Sequence, residues 1–270
     1  MKFYIVLIAA CVFLCNVSCD PGCNKDANDT TQEVDNQHLV MATAWYQKSA
    51  EMEACYYQAF KHAEIALENQ LSADESEKPN AVVLDIDETL LDNSPFQVKM
   101  IETGKPYTPE FWKEWTDLAQ AKALPGAIEF LNYAAQAGVT VFYISNRRED
   151  ELQATIENME ALDFPEIHES RIFLKKESSD KSTRRAQVRN DYDILLMVGD
   201  NLNDYSNFLG EREENFGKNK LTEYKDILGT EFIILPNPMY GNWVDALREK
   251  SDAESYQKFI KNLPDLLDSY

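Results

Sequence analysis

The sequence predicts an α/β protein built on a doubly wound, mostly parallel sheet with helices on both faces. Three observations lead there. Short unbroken apolar runs recur along the chain, as parallel strands covered on both faces require. Segments with apolar residues at helical spacing alternate with them. Three of the runs end in aspartate or a hydroxyl residue, where an open α/β sheet places its active site. At 270 residues and 44% hydrophobic content, the chain has apolar material for one large core, or one core and a small extra domain. Overall disorder is thereby excluded. Only 9 Gly and 10 Pro exclude collagen-like and Gly/Pro low-complexity classes. A net charge of −21 argues against a nucleic-acid polymer as the main partner, because such binders need a basic footprint.

The chain opens with Lys2 and an apolar run from Phe3 to Cys15, the length of a signal-peptide hydrophobic region and short for a membrane span. Residues 1–18 are therefore expected to be a signal peptide. Asn16-Val17-Ser18-Cys19 resembles a bacterial lipobox, with Cys19 as the lipid-bearing residue, although Asn16 stands where an aliphatic residue is usual. An ordinary secretory signal with an unmodified Cys19 is the other reading. Residues 19–36 are polar and read as a flexible tether, with the folded domain over 37–270. Of the remaining cysteines, Cys23 and Cys55 could pair, and Cys55, in a helical pattern, reads as a small buried residue. His38, His62 and His168 are scattered and build no zinc pattern.

Residues 37–71 carry helix-spaced Met41, Trp45, Met52, Tyr56, Phe60, Ala63 and Leu67, predicting one long helix or two in line, outside the main sheet. Ala81–Leu84 is the first strand. Phe96–Lys122, with Phe111, Trp112 and Trp115, is an insertion after it. Residues 125–137 form a helix between Pro125 and Gly138. Val139–Ile144 is a strand, 150–162 a helix, Arg171–Leu174 a strand and 181–190 a helix. Ile194–Val198 and Phe232–Leu235 are further strands, and a C-terminal helix carries Tyr256, Phe259, Ile260, Leu263 and Leu267.

The strand ends hold the candidate chemistry. The first delivers Asp85, Asp87 and Thr89, the second Ser145, Asn146 and Arg147, and the strand at 194–198 delivers Asp200 and Asp204. Asp85 and Asp87 are two apart on an extended chain, so their side chains point the same way. Like charges held that close are costly without a cation between them. Hard oxygen donors of this kind suit Mg²⁺, and a phosphoryl substrate would complete its shell.

In this order the motifs resemble the haloacid-dehalogenase (HAD) superfamily, and within it the class C bacterial acid phosphatases, which include the lipoprotein e family of 5′-nucleotidases. The residues that carry the resemblance are Val83–Asn93 (VLDIDETLLDN) and Val198–Tyr205 (VGDNLNDY), supported by Phe142–Arg147 (FYISNR), Leu174–Arg185 (LKKESSDKSTRR) and Pro236–Trp243 (PNPMYGNW). The resemblance implies a HAD-type sheet with a small helical cap, made by the N-terminal helix, the insertion after strand 1 and the C-terminal region (about residues 37–75 and 93–124). It implies a Mg²⁺-dependent phosphomonoesterase. Asp85 would be the nucleophile that forms an aspartyl-phosphate, and Asp87 the acid and base. Ser145 would hydrogen-bond a phosphoryl oxygen, and Lys181 would neutralise the phosphoryl charge. Asp85, the Asp87 carbonyl and Asp200 would hold Mg²⁺. Asp204 would orient Lys181 or a water on the metal. Lys175 and Lys176 compete with Lys181 for the lysine's role, or are a solvated strand end.

For substrate binding the resemblance implies Asn146, with Trp112 and Tyr240 sandwiching the base or ring of the leaving group; core of a small cap and a packed loop residue remain the plainer readings of these two aromatics. Phe96 departs from the family, where Tyr is common, and removes a hydroxyl near the pocket. The expected substrate is a small phosphomonoester, a nucleotide above all. The expected setting is extracytoplasmic, lipid-anchored to a bacterial membrane, the outer membrane or cell surface ahead of the inner membrane. A homodimer is left open. A phosphotransferase on the same scaffold and a non-catalytic surface binding lipoprotein are the alternatives. Intact Asp85 and Asp87 argue against the second.

Overall fold

The structure, a computed structural model, describes residues 35–270. The predicted signal peptide, Cys19, Cys23 and the tether up to residue 34 lie outside the described residues. Two helices, α1 (Val40–Lys48) and α2 (Ala50–Ala73), precede β1 (Asn80–Leu84). Then come β2 (Leu91–Asp92), α3 (Ser94–Thr103), α4 (Pro109–Thr116) and β3 (Lys122–Ala123). Helices and strands then alternate: α5 (Ala127–Gln136), β4 (Thr140–Arg148), α6 (Leu152–Ala161), β5 (Ile172–Lys175), α7 (Ser182–Asp191) and β6 (Asp193–Gly199). Three short helices, α8 (Leu202–Tyr205), α9 (Asn207–Gly210) and α10 (Lys218–Glu223), lead to β7 (Phe232–Ile234), which α11 (Asn242–Lys250) and α12 (Tyr256–Asn262) follow.

The central sheet has the order β5-β4-β1-β6-β7 and every pair is parallel. The predicted α/β class and doubly wound sheet are thus present. Burial on both faces explains the unbroken apolar runs. Along β1, Val82 and Leu84 face one layer and Ala81 and Val83 the other. On β4, Val141 and Tyr143 alternate with Phe142 and Ile144 in the same way. The first layer holds α2, α5 and α6 through Tyr56, Phe60, Phe130, Leu131 and Met159. The second is covered by α7 through Val188, with Leu202 and Tyr205 beside it.

Sequence order reverses at β1, whose neighbours are β4 and β6. That switch point opens a crevice at the carboxyl ends of the three strands that carry the predicted motifs. The insertion between β1 and α5 is pinned at its base by β2 and β3, paired antiparallel as Leu91 with Ala123 and Asp92 with Lys122. Above this stem Leu39, Phe96, Met100, Phe111 and Trp112 form a small separate core. Helix α4 starts where Thr108 Oγ1 accepts a hydrogen bond from Phe111 N at 3.1 Å, with Pro109 in the first turn.

Several expectations change. The N-terminal helical stretch breaks at Ser49, which takes an extended conformation and caps α2 by accepting from Met52 N at 3.0 Å. Helix α2 belongs to the main core and not to the small cap expected of it: its buried stripe Met52, Tyr56, Phe60, Ala63 and Leu67 shares one core with Val82, Leu84 and Leu196 of the sheet. Cys55 falls beside that stripe and is exposed, where a buried residue was expected. Asn36, placed at the end of the tether, is buried and donates from Nδ2 to Met100 O and Lys105 O, both at 2.9 Å. The C-terminal helix stops at Asn262; Pro264, which cannot donate a helical N–H, lies in a tighter turn after it. Helix α11 and the short helices α8 to α10 are additions to the predicted elements.

Phe60 ties α2 to α5 within the first layer: it is buried, its ring centroid lies 5.8 Å from that of Phe130, and it sits against Gly126, whose left-handed φ of +82° starts α5. Phe60→Ala is expected to cost about 3–5 kcal/mol. Urea unfolding should show a lowered midpoint with an unchanged slope; a loss below about 1 kcal/mol would contradict this packing.

Candidate active site

Each predicted motif sits on a strand end. Asp85 follows β1 and donates its backbone N–H to Val198 O of β6 at 3.0 Å, which joins two motifs through the backbone. Lys181 precedes the first turn of α7 and its Nζ lies 2.5 Å from Asp85 Oδ1 and 2.6 Å from Asp204 Oδ1. All three side chains are nearly inaccessible to solvent. Of the three candidate lysines, Lys181 is the one that reaches the aspartates. Lys175 ends β5, and Lys176 pairs on the surface with Glu149 at 3.2 Å.

The carboxylate oxygens of Asp85, Asp200 and Asp204 come within 4.8 Å of one another. Asp204 is therefore a member of the acidic cluster as well as the partner of Lys181. Its Oδ2 accepts from Asn201 N at 2.9 Å, which fixes the side chain. Gly199 makes this approach feasible, since a Cβ there would lie 2.3 Å from Asp204 Oδ2. Asp200 is held by Asn237, whose Nδ2 donates to Oδ2 at 2.9 Å.

The electrostatics are those of an anionic site with one cation. Burial pushes the Asp85 carboxyl up to about 7, with Asp204 and Asp87 adding to the rise and Lys181 opposing it. Burial, then Asp204 and Asp85, raise Asp200 well above the carboxylate range. Burial alone would lower Lys181, but Asp204 and Asp85 outweigh it and the amine stays charged. Two buried carboxylates share the Lys181 ammonium, and the partly buried Asp200 beside them has no cationic partner among the described ion pairs. The donor set, hard carboxylate oxygens converging on one point, fits a divalent cation of the Mg²⁺ type.

Asp87 turns elsewhere. Its Oδ1 accepts from Asn93 Nδ2 and from Arg147 Nε, both at 2.9 Å, and its Oδ2 accepts from Ser145 Oγ at 3.1 Å. The predicted metal role for Asp87 runs through its carbonyl, while its carboxylate lies outside the cluster of Asp85, Asp200 and Asp204. Ser145 is fully buried and Asn146 beside it is exposed to the cleft. Behind them Arg184 donates to Ser145 O at 2.6 Å and to Asn146 Oδ1 at 2.7 Å, and Arg185 donates to Asn203 O and Asp204 O, both at 3.1 Å. These buried arginines lock the strand ends to α7. Sequence reasoning assigned them no role, although both lie in the quoted segment LKKESSDKSTRR. Asp180, one residue before the N-cap Lys181, accepts from Ser182 N at 2.6 Å, a bond that holds its carboxyl down at about 2.

A cleft of about 1060 Å³ brings the site together with the aromatic residues. Its wall includes Asp85, Asp87, Lys181 and Asp200 at one end, and Phe96, Trp112 and Tyr240 farther out. Trp112 does both things weighed for it: it packs edge-on against Phe96 at a ring distance of 5.1 Å within the small core, and it presents surface to the cleft. Tyr240 is half-buried and packs on the main core while also lining the cleft.

A family model for the HAD superfamily, subfamily IIIB (acid phosphatase), matches residues 15–243. Among solved structures, the class C acid phosphatase from Bacillus anthracis superposes with a TM-score of 0.81 at 40% identity, covering 87% of this chain and 98% of that one. The same enzyme with tungstate bound matches with the same TM-score of 0.81 and the same 40% identity. The chain is also similar to the stem 31 kDa glycoprotein of Glycine max, 24% identical over 164 residues, and spans 58% of that relative's length.

The charge balance gives a signed pH prediction. A carboxyl whose folded-state value is raised holds its proton more tightly folded than unfolded, so stability contributed by Asp85 falls as pH rises from about 4 to about 7. A divalent cation competes with that proton. Thermal melts of the full chain should therefore show a larger stabilisation by Mg²⁺ at about pH 7.5 than at about pH 5. Equal stabilisation at both would contradict the account.

Proposed function

The chain belongs to the HAD superfamily, subfamily IIIB (acid phosphatase), which makes it a phosphomonoesterase, and we propose that it acts on nucleotides and related phosphomonoesters through an aspartyl-phosphate at Asp85. The observation that carries this reading is Lys181 held at 2.5 Å and 2.6 Å between Asp85 and Asp204 at the switch point of the sheet. Asp85 Oδ attacks phosphorus while the bond to the leaving oxygen breaks. Asp87 gives that oxygen a proton, then takes one from the water that cleaves the Asp85–phosphorus bond. Lys181 offsets the charge spread over the phosphoryl oxygens, and Ser145 turns its hydroxyl to one of them. Mg²⁺, held by Asp85, Asp200 and the Asp87 carbonyl with Asp204 alongside, would supply further positive charge for the phosphoryl group.

A leaving group next to the phosphoryl site meets Trp112, Tyr240 and Phe96, faces that suit a nucleobase or an aryl ring without reading its edges. The setting belongs to the same proposal: an anchor at Cys19 would hold the enzyme outside the cytoplasm, where removing a phosphate lets a nucleoside be taken up. Replacing Cys19 with Ala should release the protein from the membrane fraction, and retention there would count against the anchor.

The test is phosphate release by the full chain from a 5′-nucleotide and an aryl phosphate, with Mg²⁺, then with EDTA and Mg²⁺ add-back. Activity should vanish with EDTA and return with metal. Asp85→Asn should lose at least about a thousandfold in kcat while unfolding at a similar temperature. A folded, active Asp85→Asn would overturn the covalent mechanism. Tungstate, a tetrahedral oxyanion, should inhibit competitively.

A further inference from the structure

Arg147 is a guanidinium with its side chain 1% exposed, in a site whose chemistry as derived so far gives it no task. Its Nε and one terminal nitrogen both lie 2.9 Å from the same oxygen, Asp87 Oδ1. The other terminal nitrogen donates to Thr155 Oγ1 at 3.1 Å, and Thr155 is itself tied to Glu151 O at 2.8 Å. Asn93 adds a second N–H donor to Asp87 Oδ1 at 2.9 Å. Asn93 is oriented in turn by Trp115, whose indole Nε1 donates to Asn93 Oδ1 at 2.9 Å. The two oxygens of Asp87 are thus unlike. Oδ1 is saturated by N–H donors that cannot reverse. Among the described residues Oδ2 accepts only from the hydroxyl of Ser145, which can rotate and give its proton elsewhere.

We propose that Arg147, with Asn93 and Trp115, is a positioning clamp that occupies Asp87 Oδ1 and assigns proton transfer to Oδ2. The inference rests on the reading of Asp87 as proton donor and acceptor. A proton on Oδ1 would point at fixed N–H groups, donor against donor. When Ser145 turns its hydroxyl to the phosphoryl group, Oδ2 is left facing the reacting atoms. As the ester P–O bond breaks, its electron pair stays on the leaving oxygen, and that oxygen takes the proton from Oδ2. In the second step Oδ2 receives the proton of the attacking water as the Asp85–phosphorus bond breaks. The planar fork of arginine donates from Nε to Asp87 Oδ1 while its terminal nitrogens hold Thr155 Oγ1 and Asn93 Oδ1, a set of directions that a lysine ammonium does not reproduce. Trp115 sits three residues after Trp112 on α4, so the helix that faces the leaving group also anchors the group that protonates it.

A leaving-group series separates this role from a structural one. The full chain with Mg²⁺ is assayed for kcat/KM on 2,4-dinitrophenyl phosphate, whose phenoxide departs without a proton, on phenyl phosphate and on a 5′-nucleotide. Asp87→Asn, Arg147→Lys and Trp115→Phe are compared with wild type. Arg147→Lys should lose at least about tenfold on phenyl phosphate and the nucleotide, and less than about threefold on the dinitrophenyl ester. Trp115→Phe, which keeps the ring and removes the donor, should show the same selectivity at about two- to threefold. A uniform loss across the series, or none, in these two variants would overturn the clamp. If Asp87→Asn itself loses uniformly, the acid role of Asp87 fails instead. Should Arg147→Lys not fold, the selectivity of Trp115→Phe decides.

Discussion

The structure depends on one electrostatic constraint: three carboxylates are drawn out of water at neighbouring strand ends with a single ammonium among them. Asp85, Asp200 and Asp204 converge within 4.8 Å, and among the described residues Lys181 is the cation paired with Asp85 and Asp204. Such an arrangement is expensive in a folded protein unless something else brings charge. A phosphatase turns that cost to use. A divalent cation held by Asp85 and Asp200 would relieve the repulsion and supply positive charge to a phosphoryl group beside Lys181. The raised carboxyls of Asp85 and Asp200 are the sign of a site built for ligands that neutralise it.

The fold supplies the rigidity that this constraint demands. Parallel strands β4, β1 and β6 end side by side at the point where strand order reverses, so three sequence-distant motifs meet without a long loop. Arg184 and Arg185 tie α7, and with it Lys181, to the ends of β4 and β6. Helix α2 supports the first motif from below. Glu88, in a left-handed conformation with φ +54°, accepts from Tyr56 OH through its carbonyl at 2.5 Å and from Asn93 N through Oε1 at 2.9 Å. Burial, then Asp87 and Asp200, push the Glu88 carboxyl well above its ordinary range, so it adds little to the crowding of negative charge.

The strands, the sheet class and the aspartates were legible because their signals are local. An unbroken apolar run such as Ala81–Leu84 means burial on both faces, and paired aspartates at its end are costly anywhere but a site. What was not legible depends on contacts far apart in sequence. The helical spacing of α2 shows which face is buried, and not that the sheet is what buries it. Cys55 lies next to Met52 and Tyr56 in a helical stripe, and one step around the helix decides its exposure. Arg147 reads in sequence as one more strand-end charge; its burial requires Thr155 on α6 and Asn93 before α3. The membership of Asp204 in the acidic cluster needed the close approach that Gly199 permits.

A divalent cation would hold the cluster of Asp85, Asp200 and Asp204 together. Anomalous diffraction from crystals grown with Mn²⁺ in place of Mg²⁺ tests it most directly. One peak about 2.0–2.3 Å from carboxylate oxygens of Asp85 and Asp200 is predicted. Saturating Mn²⁺ with no peak there, and Lys181 still bridging Asp85 and Asp204, would contradict it.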